Sequence, residues 1–391
     1  MVRAAKGEGS IYKTDKGWRG AVTVDGKRKY FSAPTKADAA RKRRALLLQR
    51  DTGQLVAGQV PTLAAWLKQW MKVTESDRAQ STNAGYQGYI DNYIVPQLGT
   101  KKIDKLTIDD LDNFYAELES RGMSGSTRHQ CHSIIRVALK HAVWRGHLGR
   151  NVAAMVKPPT PSKSQATSLS EADMLAVYRA IENDRFRARW HLSLDFGLRP
   201  GEAIALEWPH IDFERATMRV EQQILQIRGK GAQLISSTKT GSGTREIALP
   251  EYMLDMLREL RQQQLIDMAS RSEWKTWEPD GKPHAWCFTR PDGSVLRPGY
   301  DTSLWKKVVE SAGLPHTRRY TARHTAASMA ISDGADIPAV SEMMGHSNPA
   351  VTLSIYTHAI EERKVALADQ AAARFAARTE DKLHNKLHQE K

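Results

Sequence analysis

The C-terminal half of the chain holds arginine, lysine, histidine and tyrosine side chains in unusual local contexts. Arg199 follows a Gly-Leu step and precedes Pro-Gly, so it interrupts one apolar helix and begins the next, with Glu202 one turn further along. Lys239 lies in a Gly-rich segment between two predicted strands. The other members of the set are Arg323 in Tyr320-Thr-Ala-Arg-His-Thr, His346 in Met-Gly-His-Ser-Asn, and Tyr356 in Tyr-Thr-His.

Side chains of these types can bind and transfer a phosphoryl group. A guanidinium is planar, stays charged and donates in pairs to phosphate oxygens, and a phenolic oxygen can act as a nucleophile. A positioned lysine or histidine can give a proton to a leaving group. Taken singly, each residue has an ordinary alternative: Arg199 with Glu202 as a surface ion pair, Lys239 as a solvated turn residue, and Tyr356 as a half-buried helix aromatic. Their order and spacing favour the chemical interpretation.

The ordered set resembles the catalytic motif of the tyrosine recombinase family, the phage integrase type. That motif runs Arg, Glu or Asp, Lys, His-x-x-Arg, Gly-His or Gly-Trp, and Tyr. The matching elements here are Gly-Leu-Arg199-Pro-Gly-Glu202, Lys239, Ala-Arg323-His-Thr, Met-Gly-His346-Ser and Tyr356. The resemblance implies a site-specific DNA recombinase, or integrase, that cleaves and rejoins strands through a 3′-phosphotyrosyl intermediate.

The resemblance also implies a role for each matching side chain. Tyr356 is the nucleophile, Arg199, Arg323 and His346 neutralise the scissile phosphate, and Lys239 protonates the departing 5′-oxygen. Glu202 orients the phosphate-binding side chains. The phosphotyrosyl link conserves the bond energy, so neither ATP nor any other cofactor is predicted, and the sequence has no Walker loop and no zinc-ligand spacing.

One position departs from the family motif. Tyr320 stands where the first residue of His-x-x-Arg is expected. A phenol, with a pKa of about 10, can donate a hydrogen bond to a phosphate oxygen but accepts a proton poorly at neutral pH. Tyr320 is therefore predicted to donate a hydrogen bond to the phosphate. Participation of His316 or His324 stays open, although the motif assigns catalysis to neither.

The charge is concentrated at the N-terminus. The 391 residues include 58 Lys and Arg against 44 Asp and Glu, a net charge of +14. Residues 1–55 hold 14 basic and 5 acidic residues, whereas 163–391 hold 31 and 30. A basic module on a nearly neutral body favours a nucleic-acid partner. A solvated basic surface or a membrane-surface patch is the alternative.

Composition also indicates the cellular compartment in which we expect the protein. Two cysteines, Cys131 and Cys287, make neither a disulfide framework nor a zinc site, and both are predicted to be buried thiols in a reducing compartment. No apolar run approaches the length of a membrane span, and the N-terminus has no apolar signal region. We therefore expect a cytoplasmic protein with no membrane partner, and the resemblance to the recombinases implies a bacterial host cell and association with its nucleoid.

The elements that must position these residues form an α+β multidomain chain. Residues 9–32 predict three short strands with a turn at Asp-Gly, and 36–51 predict a helix capped by Thr35. Residues 62–156 predict a helical bundle, with Leu63, Trp66, Leu67 and Trp70 on a core-facing stripe. After a Pro/Ser-rich segment, 170–208 predict helices and 211–250 strands. Residues 251–378 again predict mainly helical structure, with a short strand near 286–289.

The resemblance divides the chain in the manner of lambda integrase. It implies an arm-type DNA-binding domain at 1–56, a helical core-site-binding (SAM-like) domain at 61–157, a linker at 158–167, a mainly helical catalytic domain with a small antiparallel sheet at 168–378, and a polar tail at 379–391. The implied partners are double-stranded DNA core and arm sites, three further copies in a tetramer, a host DNA-bending protein and an excisionase. An Ala-rich helix at 362–378 would dock on a neighbouring copy or on its own domain.

Two other functions stay open at this point. A type IB topoisomerase-like enzyme shares the active-site chemistry, but the basic N-terminal module and the short helical domain argue against it. A catalytically silent DNA-binding protein gains slight support from Tyr320, whereas the intact set of Arg199, Lys239, Arg323, His346 and Tyr356 argues against it.

Overall fold

The computed structural model describes residues 9–24, 27–51, 60–162, 168–236 and 243–345, together with 368, 372 and 375. The chain divides into two compact units, Met1–Ser164 (the N-terminal unit) and Gln165–Lys391 (the C-terminal unit). No helix among the described residues is long and apolar enough to cross a membrane.

The N-terminal unit begins with a three-stranded antiparallel sheet and one helix. The strands are β1 (Ser10–Thr14), β2 (Gly17–Val24) and β3 (Lys27–Ala33), in the order β1-β2-β3. Helix α1 (Lys36–Asp51) covers one face of the sheet, where Val22 is buried beside Phe31 and two leucines of the helix. The Thr35 hydroxyl accepts from the Asp38 N–H at 3.1 Å, which confirms the predicted cap.

The rest of the N-terminal unit is helical, as predicted. It contains α2 (Leu63–Val73), α3 (Gln80–Tyr89), α4 (Val95–Leu98), α5 (Ile108–Ser120) and α6 (Gly125–Trp144). A π-helical turn, Ile90–Ile94, joins α3 to α4, and Val152–Met155 is a 3₁₀ turn. The aromatic stripe of α2 lies in the core, where the Trp66 indole N–H donates to the Ala138 carbonyl at 2.8 Å.

The Pro/Ser-rich segment is not a free tether over its described part. Residues 158–162 have no regular structure, but they lie along the start of α6. The Ser162 N–H donates to the Ser126 hydroxyl at 3.1 Å, and His129 Nδ1 lies 2.8 Å from the Pro159 carbonyl. Proline has no amide N–H, so this segment forms few backbone hydrogen bonds of its own. Side chains of α6 instead pair with some of its N–H and C=O groups.

The C-terminal unit combines helices with two small antiparallel sheets. Its helices are α7 (Glu171–Ile181), α8 (Arg187–Leu194), α9 (Pro200–Ile204), α10 (Glu251–Ala269), α11 (Pro298–Ser311), α12 (Arg319–Ser332) and α13 (Ile337–Met344). One sheet has the order β4-β5-β8, formed by Ile211–Asp212, Thr217–Val220 and Arg245–Ala248. The other is the hairpin of β6 (Gln222–Ile227) with β7 (Gly231–Ser236).

The segment 270–297 interrupts the predicted, mainly helical run of 251–378. This described segment contains no helix, and the predicted strand near 286–289 is reduced to two isolated bridges, Glu207 with Trp286 and Thr289 with Val295. Trp286 and the next three residues are all buried, so no side of this short run faces solvent. The Cys287 N–H instead donates to the Leu206 carbonyl at 2.9 Å, which inserts this short apolar run into the core.

A buried ion pair joins three helices beneath the predicted site. Asp301 of α11 accepts from Arg189 of α8 at 2.6 Å (Nε) and 2.9 Å (Nη2), and both side chains are almost wholly buried. Arg319, the first residue of α12, also donates to Asp301. The start of the helix that carries Tyr320 and Arg323 is therefore held by charge as well as by apolar packing.

Candidate active site

Four of the seven predicted site residues lie in the described part of the C-terminal unit. Arg199, Glu202, Tyr320 and Arg323 have described positions. Lys239, His346 and Tyr356 lie outside the described residues, as does the predicted helix at 362–378 apart from three single positions. The described residues therefore belong to the predicted phosphate-binding part of the site.

The sequence Gly-Leu-Arg-Pro-Gly-Glu makes a tight corner between α8 and α9. Gly197 has a φ of 64°, a conformation that side chains with a Cβ disfavour. Arg199 is the N-cap of α9 and Pro200 follows at the first helical position, where its missing N–H is not needed. Glu202 turns back to the cap: its Oε2 accepts the Arg199 backbone N–H at 2.9 Å, and its Oε1 accepts from Arg199 Nη1 at 2.6 Å.

Arg323 ties α12 to the same corner. Its side chain is buried, and Nη1 donates to the Gly197 carbonyl at 2.6 Å while Nη2 donates to the Met344 carbonyl. The two arginines that the motif places far apart in sequence thus meet around one short loop.

A third arginine, Arg245, completes the arrangement, and the sequence analysis assigned it no role. It is the first residue of β8, and its buried guanidinium donates to Glu202 Oε2 at 2.9 Å and to the Met343 carbonyl at 2.7 Å. A usable signal was present in the sequence. Arg245 and Ile247 alternate with Glu246 and Ala248, so the arginine occupies an inward-facing strand position, where a charge requires a buried partner.

The three guanidiniums, Arg199, Arg245 and Arg323 (the arginine cluster), converge on the end of α13. The carbonyls of Met343, Met344 and Gly345 accept from Arg245, Arg323 and Arg199 in turn, the last at 2.9 Å. The last carbonyls of a helix lack intrahelical partners and carry partial negative charge, so they suit cationic donors. Gly345 ends the helix with a φ of 63°, and His346 is the next residue of the chain.

The arginine cluster with Glu202 has a net charge of +2, from three guanidiniums and one carboxylate. Burial by itself raises the pKa of Glu202, but the charges and hydrogen bonds of Arg245 and Arg199 hold that pKa below its ordinary value. Burial and the nearby charge of Arg199 lower the pKa of Arg323 to about 10, so it remains protonated at neutral pH. The uncompensated positive charge suits an anion such as a phosphodiester.

Arg199 is the most exposed member of the cluster, with 27% of its side chain accessible against 5% for Arg245. Arg199 and Tyr320 line one open cavity of about 730 Å³ between α9, β6, α11 and the start of α12. Tyr320 is exposed, and its ring lies 6.2 Å from that of His324. Burial and the Arg323 charge lower the pKa of His324, which keeps its imidazole neutral at pH 7.

Metal-ligand geometry is not found in the described part of the chain, where no three His, Cys, Asp or Glu side chains are grouped as ligands would be. Both cysteines are buried, as predicted, and burial raises the pKa of each thiol. They lie in different units of the chain.

Comparison with known proteins places this geometry in a family. Residues 167–363 match the model of the phage integrase family, and 62–118 match that of the phage integrase N-terminal SAM-like domain. A relative in Caldanaerobacter subterraneus subsp. tengcongensis, named tyrosine recombinase XerC-like, is 28% identical over 86% of this chain and 89% of its own length.

Two solved structures share the fold. The Tn1549 transposon integrase in complex with transposon right end DNA has a TM-score of 0.66 and 19% identity, and the match covers 78% of this chain and 99% of that one. A lambda integrase tetramer bound to a Holliday junction has a TM-score of 0.56 and 15% identity, covering 88% and 94%.

Proposed function

Because this chain belongs to the phage integrase family, the tyrosine recombinases, we propose that it recombines DNA at specific sites and thereby integrates and excises a phage or related mobile element. The observation that carries the proposal is the arginine cluster, which gathers an excess positive charge at one partly exposed guanidinium beside an open cavity. Fixed donors of this kind stabilise the charge that builds on a phosphate during transfer.

The reaction follows from the residue types. The Tyr356 oxygen attacks the scissile phosphorus and its phenolic proton passes to solvent, a P–O bond to tyrosine forms, and the bond to the 5′-oxygen breaks. Arg199 and Arg323 bind the non-bridging oxygens with His346, and Lys239 gives its proton to the departing 5′-oxygen. Attack by a 5′-hydroxyl of a second duplex reverses these steps and exchanges strands. In this scheme Glu202 holds Arg199 in place, and Tyr320 donates a hydrogen bond to the phosphate.

The distribution of charge supports a core-site DNA contact by the helical part of the N-terminal unit. From 120 to 170 the sequence has no Asp or Glu, whereas Lys or Arg occurs eight times. On α6, Arg136 and Lys140 are exposed beside Trp144, and Lys140 Nζ lies 4.6 Å from the indole centre. Lysine and arginine in such a stretch neutralise backbone phosphates and position a domain on a duplex.

The N-terminal sheet supports a second, arm-type contact. The face of the sheet away from α1 carries Tyr12 opposite Arg19, with Arg28 and Tyr30 on the neighbouring strand, and all four are exposed. A two- or three-stranded sheet with cationic and aromatic side chains fits the width of a major groove. We assign this face to arm sites.

The assembly and its setting follow from family membership. Exchange between two duplexes needs four active sites, and the similar fold of the lambda integrase tetramer supports a tetramer of this chain on DNA. A host DNA-bending protein and an excisionase are proposed as further partners, and the cytoplasm of a bacterial host as the place of action. No cofactor enters the scheme.

A covalent-trapping experiment tests the proposal. The probe is a nicked suicide duplex that covers the junction between the mobile element and its host chromosome, from which the cleaved strand cannot be resealed. Wild type is expected to form an SDS-stable, protease-sensitive adduct. Tyr356→Phe should form none, and the matched control Tyr89→Phe should form it at the normal rate. An adduct in Tyr356→Phe would refute the nucleophile assignment, and binding without cleavage by wild type would favour the silent DNA-binding protein.

A relaxation assay separates the topoisomerase-like alternative. A nicking and closing enzyme relaxes a supercoiled plasmid that lacks the junction sequence, whereas a recombinase cleaves only where it recognises the site. We expect relaxation only of the plasmid that carries the junction.

A further inference from the structure

We propose that Arg245 is a positioning residue for DNA cleavage, which orients Arg199 through Glu202 and holds the end of α13, the helix that precedes His346 in the sequence. The inference rests on the proposed function, because the reaction it serves is the cleavage of a phosphodiester at Arg199. Arg245 is not a member of the family motif found in the sequence.

The guanidinium of Arg245 is turned inward. Its Nε donates to the Met343 carbonyl at 2.7 Å, its Nη2 to Glu202 Oε2 at 2.9 Å, and its Nη1 lies 3.4 Å from Glu202 Oε1. All three nitrogens therefore contact protein acceptors, and only 5% of the side chain is exposed. Arg245 is placed to hold other groups and not to bind a phosphate itself.

Glu202 is shared between two arginines, and Arg245 decides how much of the Arg199 charge is free. Each carboxylate oxygen of Glu202 has one contact to Arg199 and one to Arg245. Without Arg245, the buried carboxylate would have Arg199 as its only remaining ion-pair partner among the described residues, and the net charge of the group would fall from +2 to +1. The charge offered to a phosphate by Arg199 would then be largely cancelled.

Arg245 also joins three segments that carry motif residues. It lies six positions after Lys239 in the sequence, it contacts the helix turn that begins at Arg199, and it holds the carbonyl three residues before His346. A lysine at this position would keep the charge, but its single nitrogen cannot reproduce a fork that reaches both Glu202 and a backbone carbonyl. Comparing Arg245→Lys with Arg245→Met therefore separates the effect of the charge at this position from the effect of the guanidinium geometry.

The test measures single-turnover cleavage of the nicked suicide duplex at saturating DNA, together with DNA affinity and thermal unfolding. Arg245→Met is expected to slow cleavage about 100-fold, the scale of losing one preorganised donor, and Arg245→Lys about tenfold. DNA affinity should stay within about twofold, because only 5% of the Arg245 side chain is exposed and its three nitrogens already contact protein acceptors. Arg258→Met, which removes an exposed ion-paired arginine from α10, is the matched control and should cleave normally.

The pH profile of cleavage distinguishes positioning from a general loss of structure. The charged groups that face Glu202 are Arg199 from α9, Arg245 from β8 and Arg323 from α12. Loss of Arg245 raises the pKa of Glu202, so in Arg245→Met this carboxylate is protonated more readily as the pH falls from 7 toward 5 and cancels less of the Arg199 charge. The cleavage defect of Arg245→Met should therefore shrink over this pH range, and the double variant with Glu202→Gln should show no such change.

Each outcome bears on the inference. A wild-type cleavage rate in Arg245→Lys and Arg245→Met would overturn it, and so would a Met variant that is slowed equally at every pH. If Arg245→Met does not fold, a slowed Arg245→Lys with normal unfolding temperature and DNA affinity supports the inference, and a normal rate in that variant refutes it. A wild-type chain that cleaves nothing would instead refute the proposed function.

Discussion

Asp301 is expected to be the most sensitive single position beneath the site. Its carboxylate is fully buried and accepts hydrogen bonds from Arg189 at 2.6 and 2.9 Å and from Arg319. Asp301→Asn keeps the volume but removes the charge, and it turns an amide N–H₂ toward guanidinium donors. Arg189, only 1% exposed, is then left as a buried cation with no carboxylate.

The magnitude follows from that burial. Removing one partner of a buried ion pair costs about 3–5 kcal/mol, and every 1.4 kcal/mol is a factor of ten in an equilibrium constant. The opening equilibrium of α8, α11 and α12 should therefore rise by about three orders of magnitude. Since α12 carries Tyr320 and Arg323, cleavage should fall as well.

Hydrogen exchange detected by mass spectrometry measures the opening equilibrium of each helix separately, on peptides from α8, α11 and α12. The control is Glu251→Gln, whose exposed pairing with Arg258 is worth less than about 1 kcal/mol. Replacing both partners, Arg189→Met with Asp301→Leu, should recover most of the stability, because the two fully buried charges are removed together and Arg319, which also loses its partner, is 21% exposed and can be solvated. A change below about 1 kcal/mol for Asp301→Asn would show that the buried pair is not what anchors α12, and the reasoning would be wrong.

Four further predictions concern the two units. Replacing Arg136 and Lys140 together by Ala should weaken core-site binding on every sequence and reduce the slope of log affinity against log salt by about 2, measured by fluorescence anisotropy. Deleting 1–56 should abolish arm-site binding and spare core-site binding in the same assay; unchanged arm-site affinity would contradict the assignment of the sheet. Tyr320→Phe removes a donor to a charged group and should slow single-turnover cleavage about tenfold or more, whereas Tyr320→His keeps a donor and should be slowed less. Because folding lowers the pKa of Glu202, its carboxylate stabilises the fold above the unfolded pKa of about 4.3, and this stability is lost as the pH falls through the lower folded value. In urea unfolding between pH 6 and 3, the free energy of unfolding should therefore decline less for Glu202→Gln than for wild type.

Local sequence determined the elements and much of the site. Helix α1 begins and ends where the Thr35 cap and the pattern predicted, and the Trp66 and Trp70 stripe is buried as its spacing required. The corner at Arg199 is also local, since a glycine with positive φ, a proline at the first helical position and a carboxylate three residues on suffice to build it. The strand predicted near 286–289 is reduced to isolated bridges, because four consecutive buried residues have no period to reveal their pairing.

Only the tertiary structure determines how the three arginines share the Glu202 carboxylate and the carbonyls at the end of α13. Arg245 reaches Glu202 across 43 residues and Met343 across 98, and Arg199 reaches Gly345 across 146. Motif spacing shows which residue types recur, but it does not show which guanidinium is buried against a carboxylate and which remains exposed at 27%. Which arginine is buried and which is exposed depends on chain segments that come together only in the folded protein, because a buried charge is tolerated only where the fold supplies its partner.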